Sequence, residues 1–178
     1  MPYRIFLVLA LMLVSPSLLR AAEPIRFELS GEKIEIKTDG RKWEEGFRND
    51  AGNKGVVEYV LSGEKVDDWS ELVTINYFQR LEGDNLLERF VGFTKDGLHK
   101  QCAQVKWEDL IQKKDGVVYT WIAQQCQGWA DQTEVARVIL GKQGLYVLHY
   151  ASKQVPMPQK RRAAWIDLLS KASIKSSS

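Results

Sequence analysis

Residues 102–126 read CAQVKWEDLIQKKDGVVYTWIAQQC. Two runs rich in Val, Ile, Trp and Tyr flank Lys113-Lys114-Asp115-Gly116, and a cysteine closes each outer end. β-Branched and aromatic residues broken by a turn that needs a positive φ predict an antiparallel hairpin. Residues 134–141 and 145–151 continue the pattern and join at Gly141-Lys-Gln-Gly144, so the four runs together predict a four-strand meander. Val117, Tyr119 and Trp121 alternate with Val118, Thr120 and Ile122. Neither face is plainly polar, and a sheet with two apolar faces needs two covers.

Upstream, residues 27–61 also read as β. Ile34 and Ile36 alternate with charges, Thr38-Asp39-Gly40-Arg41 reads as a hairpin turn, and Trp43 and Phe47 lie on the returning strand. Strands follow at 56–61 and 72–78. A helix is expected over 85–100, with Leu87, Phe90, Val91, Thr94 and Leu98 on one stripe. A second is expected over 159–173, after Pro156-Met157-Pro158, with Ala163, Ile166 and Leu169 inward and Trp165 beside them. The order predicts an α+β fold: an antiparallel sheet with a C-terminal four-strand meander packed against two main helices, an α/β/α sandwich. Residues 22–174 are expected to form one domain and 175–178 a polar tail.

The turn at Gly63-Glu64 leading to Trp69-Ser-Glu-Leu-Val-Thr is similar to small exported bacterial proteins laid out like the PsbP-like sandwich superfamily. So is the later series Tyr119-Thr-Trp121, Cys126, Glu134, Arg137, Gly144 and Tyr150. The resemblance covers residues 55–172. It implies an accessory or partner-binding role and carries no site residues with it.

The N-terminus reads as a secretory signal peptide. Arg4 precedes ten unbroken apolar residues at 5–14, and Ser15-Pro16-Ser17 breaks the run. Ten residues span roughly 15 Å as a helix, about half a bilayer core, so a retained membrane anchor is not expected. Cleavage after Ala21 places Leu19 at the −3 position; cleavage after Ala22 would place Arg20 there, a poorer fit. Losing Arg4 and Arg20 leaves 23 Lys and Arg against 23 Asp and Glu. A chain of no net charge has no field to recruit nucleic acid. The expected compartment is the periplasm or the exterior, where Cys102 and Cys126 would pair and close a loop contributing roughly 3.5 kcal/mol. Two buried free thiols are the alternative. A four-residue loop at 113–116 would set Cys126 opposite Ala103, and a two-residue loop opposite Val105.

Candidate functional residues are few. Trp129 sits in the polar loop Gln124-Gln-Cys-Gln-Gly-Trp-Ala-Asp-Gln132 and is the tryptophan best placed as a contact residue, whereas Trp69, Trp107, Trp121 and Trp165 read as core. Lys160-Arg161-Arg162 opens the last helix, where the helix dipole disfavours cations, and so reads as a contact for an acidic partner or as a solvated face. His99 and His149 lack second ligands at metal spacing, and no Gly-X-Ser-X-Gly or phosphate loop is present. No metal, cofactor or catalytic group is therefore expected. If Arg137 is buried, Glu58 is a possible carboxylate partner. The leading expectation is an exported, non-enzymatic protein that binds a partner protein or a small apolar ligand. A hydrolase or isomerase built from scattered residues and a structural envelope protein are the alternatives.

Overall fold

The computed structural model describes residues 23–176 apart from Ser30, Arg80 and Glu82; the segment read as a signal peptide lies outside the described residues. In chain order the elements are β1 (Ile25–Leu29), β2 (Glu32–Ile36), β3 (Trp43–Asp50), β4 (Lys54–Leu61), β5 (Glu71–Gln79), α1 (Leu86–Gln101), β6 (Cys102–Lys113), β7 (Gly116–Cys126), β8 (Gln132–Leu140), β9 (Gly144–Ser152), α2 (Gln159–Lys171) and β10 (Ser173–Ser176). Seven strands form one antiparallel sheet in the order β3-β4-β5-β9-β8-β7-β6, and β1-β2-β10 form a second, smaller one.

This corrects the α+β expectation. Among the described residues the fold is mainly β: ten strands in two antiparallel sheets, with two short helices. The runs read as a four-strand meander are not a unit of their own, because β9 continues sideways into β5 and so into β4 and β3. The Thr38–Arg41 segment is not a hairpin turn either. β2 pairs with β1 and β10 in the small sheet, whereas β3 pairs with β4 in the large one, so the segment carries the chain between sheets. Ile34 and Ile36 are buried and β3 is almost wholly exposed, so the two strands answer to different neighbours. The expected polar tail is partly ordered, since β10 pairs with β2 through Ile174 and Lys175.

The two faces of the large sheet are covered differently. On one, α1 packs Leu98 and its flanking Leu87, Phe90 and Val91 against Val117, Tyr119, Trp121, Ala136 and Val147. On the other, α2 and the small sheet enclose Val73, Ile75, Tyr146, Leu148, Tyr150 and Val135 together with Trp165 and Leu169. Ala163, expected on the inner stripe of α2, is exposed, and Trp165 is fully buried in its place. Trp165 stacks on Tyr150 at 4.0 Å and meets the edge of Trp43 at 5.7 Å.

Two buried carboxylates fasten this second layer to the sheet. Glu71 of β5 accepts from Arg41 Nη1 at 3.0 Å, pairs with Arg161 of α2 at 2.9 Å and accepts from the Tyr150 hydroxyl. Glu32 of β2 accepts from Tyr146 Oη at 2.8 Å and from the Lys142 and Gln143 amides of the β8–β9 turn at 2.8 and 3.1 Å. Arg137 is buried on the same face and donates to the Leu169 carbonyl at 2.8 Å and to that of Ser170, which caps the C-terminus of α2. Glu58 is therefore not its partner; the two side chains lie on opposite faces. Burial alone pushes the Arg137 guanidinium below its ordinary value, with Asp115 opposing.

The hairpin register brings the cysteines together. Lys113 pairs with Gly116, which would set Cys126 opposite Ala103, but a bulge between Asp109 and Ile111 shifts the register by one. Cys102 then lies directly opposite Cys126, and the two form a disulfide. Among the described residues no helix is long and apolar enough to cross a membrane.

Burial works to raise the Glu71 carboxyl, but bonds from Arg41 and Tyr150 and the charges of Arg41 and Arg161 outweigh it and hold it below the usual range. A depressed folded-state value means stability that is present above the unfolded value of about 4.3 and is lost as pH falls through the folded one. Glu71→Gln is expected to cost about 1–3 kcal/mol at pH 7, because it removes the buried carboxylate that two partly exposed arginines share. The cost should shrink in melts taken at progressively lower pH.

Candidate functional site

Side chains alternate across a sheet, so the register sorts every residue onto a face. On the α1 side one row runs Phe47, Glu58, Thr74, His149, Ala136 and Tyr119 across β3, β4, β5, β9, β8 and β7. The next row holds Val60, Leu72, Ala151, Glu134 and Trp121. Apolar residues dominate both rows except at Glu58, Thr74, His149 and Glu134. These four polar side chains sit together on a face whose other residues pack against α1 or the turn at 62–70.

Glu134 and His149 touch: Nδ1 lies 2.6 Å from the Glu134 carboxylate, with the two side chains 9% and 19% exposed. A carboxylate oxygen accepts, so Nδ1 donates in this contact and Nε2 takes no part in it. Glu58 is half-buried, and among the described residues it has neither an ion pair nor a hydrogen bond. Its carboxyl is pushed up by burial, with the nearby His149 pulling the other way. Thr74 lies between them in register, is 9% exposed, and its hydroxyl has no hydrogen bond among the described residues. Deeper in the same face, Trp121 Nε1 is buried without a partner.

α1 covers only part of this face. Phe90 meets Phe78 of β5 at 5.6 Å, whereas Lys95 lies over Trp107 of β6 at 5.9 Å. At 100° per residue, Phe93 and Gly97 then fall on the flank toward β5 and β9. Phe93 is 79% exposed and Phe47, at the other side of the polar row, is 45% exposed. An open strip with an aromatic on each border and unspent hydrogen-bond acceptors between them is the result.

The residues singled out from the sequence lie elsewhere. Trp129 is half-buried, its ring edge-on to Trp121 at 5.9 Å and its Nε1 bonded to Gln101 at 3.2 Å. Arg161 pairs with Glu71, and Arg162 donates to Glu108 of β6 at 2.6 Å, so partner strands supply the anions that the start of α2 lacks. Lys160 is exposed. The structure does not bring Trp129 and this basic run together. Of the expected core tryptophans, Trp121 and Trp165 are buried, while Trp69 and Trp107 are half-buried. On the other flank of α1 a cavity of about 390 Å³ is lined by Val91, Trp107, Leu110, Ile111 and Val117. Among the described residues no group of three His, Cys, Asp or Glu side chains could hold a metal. The polar row was missed because its members lie 16, 60 and 15 positions apart, so no local spacing marks them.

The chain matches no protein-family model and no curated protein. Among solved structures it is similar to PA94 of Pseudomonas aeruginosa, a protein of unknown function. That likeness has a TM-score of 0.46 and 13% identity over 84% of this chain and 95% of that one.

Two outcomes test this geometry. Trp121→Ala is expected to cost about 3–5 kcal/mol and Trp129→Ala about 1–2 kcal/mol. The double variant should lose less than their sum because the rings touch, and three denaturation curves measure this. A raised Glu58 means folding disfavours its ionised form, so wild-type stability falls as pH rises through the interval between the unfolded and folded values. Glu58→Gln should therefore melt higher than wild type at pH 7, with the gain disappearing below about pH 4.

Proposed function

We propose that this is an exported, non-enzymatic protein that binds a partner protein on the open strip between α1 and β3. The observation that carries the reading is the strip itself: Phe47 and Phe93 exposed on its borders, and the half-buried Glu58 and Thr74 without partners among the described residues. Large exposed aromatics beside desolvated polar groups are what protein interfaces concentrate at their centres. The Cys102–Cys126 disulfide and the signal-like N-terminus support export, since such bonds persist in oxidising compartments. The layout similar to the PsbP-like superfamily, with its accessory and partner-binding members, points the same way.

A second reading rests on the cavity beside Trp107, whose volume and whose Val91, Leu110, Ile111 and Val117 suit the apolar part of a small ligand, with Glu88, Lys95 and Asp109 also on its wall. The Glu134–His149 pair is the one feature that speaks for catalysis, because a carboxylate that orients an imidazole prepares a general base.

A photo-crosslinking residue placed at position 47 or 93, in protein recovered from the producing cell's envelope, is expected to yield the same discrete adduct. One placed at the exposed position 142, in the β8–β9 turn, should yield none. Equal labelling at all three, or no adduct, would overturn the partner reading. N-terminal sequencing of the same material should begin at residue 22 or 23; an intact Met1 defeats export.

A further inference from the structure

The geometry points to a recognition site on this strip for a basic side chain, an ammonium or guanidinium donated by the partner between apolar neighbours. The inference rests on the partner reading and names what the partner brings. Three groups face the strip with hydrogen-bonding capacity left over: the Glu58 carboxylate, the Thr74 hydroxyl and His149 Nε2. The ionised carboxylate accepts only, and the hydroxyl can accept as well as donate. A ligand that suits them must supply several N–H donors, and positive charge favours it further because Glu58 and Glu134 bring two carboxylates to one small area.

Two independent observations separate this from an ordinary acidic patch. Thr74 is nine-tenths buried, opposite both Glu58 and His149, and its hydroxyl bonds nothing among the described residues. Elsewhere in the chain the buried carboxylates are satisfied: Glu71 has two arginines and a tyrosine, and Glu32 has a tyrosine and two amides. Glu58 alone among these half-buried or buried acids is left for burial to raise. A half-buried carboxylate without a cation is costly, and a cation arriving from outside removes that cost. A bare metal ion does not fit the same groups, since no three ligating side chains converge among the described residues. The flanking Phe47 and Phe93 suit apolar residues on either side of the cation, and their ring faces add attraction for it.

The test titrates the folded protein with N-acetyl-Phe-Arg-Phe-amide and with its Phe-Gln-Phe counterpart, while the His149 ring signals are followed by NMR. The arginine peptide is expected to shift those signals and to bind at least about tenfold more tightly than the glutamine peptide. Glu58→Gln, which should melt no lower than wild type at pH 7, is expected to abolish the preference, and Thr74→Val to reduce it. Equal binding of both peptides, or no shift at His149 with either, overturns the inference. The partner reading is decided separately: a 47/93-specific crosslink that survives excess arginine peptide leaves that reading standing and sinks the basic-side-chain site. If no crosslink forms, the partner reading fails, and the peptide preference alone decides whether the site recognises a cation.

Discussion

The second layer of this fold hangs on one buried carboxylate. Glu71 opens β5 at one end of the large sheet and gathers Arg41 from the connection between the sheets, Arg161 from α2 and Tyr150 from β9. Each partner comes from a different part of the chain, so the contact ties sheet, helix and crossover into one arrangement. A buried ion pair is weak evidence of net stability, because desolvation consumes much of the attraction. Its effect is better described as specification. Any packing of α2 that took Arg161 away would leave the buried Glu71 with Arg41 and Tyr150 alone, and that arrangement is disfavoured. The stack of Trp165 on Tyr150 then completes the same junction with apolar area.

Polar groups on the two faces of the sheet are used differently. On the α2 side Glu71, Glu32 and Arg137 have their hydrogen bonds completed within the chain, each by a backbone or side-chain group far away in sequence. On the α1 side Glu134 is spent on His149, while Glu58 and Thr74 are not spent at all. α1 runs into β6 through Gln101 and Cys102, and the disulfide fixes that junction, so the helix packs over β6, β7 and β8, reaches Leu145 and Val147 of β9 and Phe78 of β5, and stops short of β4. The open strip follows from where α1 is attached.

Several elements were legible before any fold was known. The periodicity of Leu87, Phe90, Val91 and Leu98 marked α1 and its inner face, and alternation marked β6 to β9. The neighbour of Trp129 was not legible: a loop position says nothing about which ring it lies against, and Trp121 is there to receive it. The ion pairs of the basic run were hidden likewise, because the carboxylates of Glu71 and Glu108 approach α2 from strands that sequence spacing cannot relate to it. The Thr38–Arg41 turn was read from local chemistry, and local chemistry does not say whether the following strand pairs with its predecessor or with another sheet.

Strand and helix identity came from the sequence alone, since side-chain shape and hydrophobic period act within a few residues. So did the availability of two cysteines at distances compatible with a hairpin. Only the tertiary structure decided that the strands extend into seven, that a small sheet covers one face, and that a bulge sets Cys102 opposite Cys126. It also assembled Glu58, Thr74, Glu134 and His149, drawn from four strands, onto one face in two adjacent rows. Pairing between strands distant in sequence is chosen by which faces can be buried together, and that choice is a property of the whole chain.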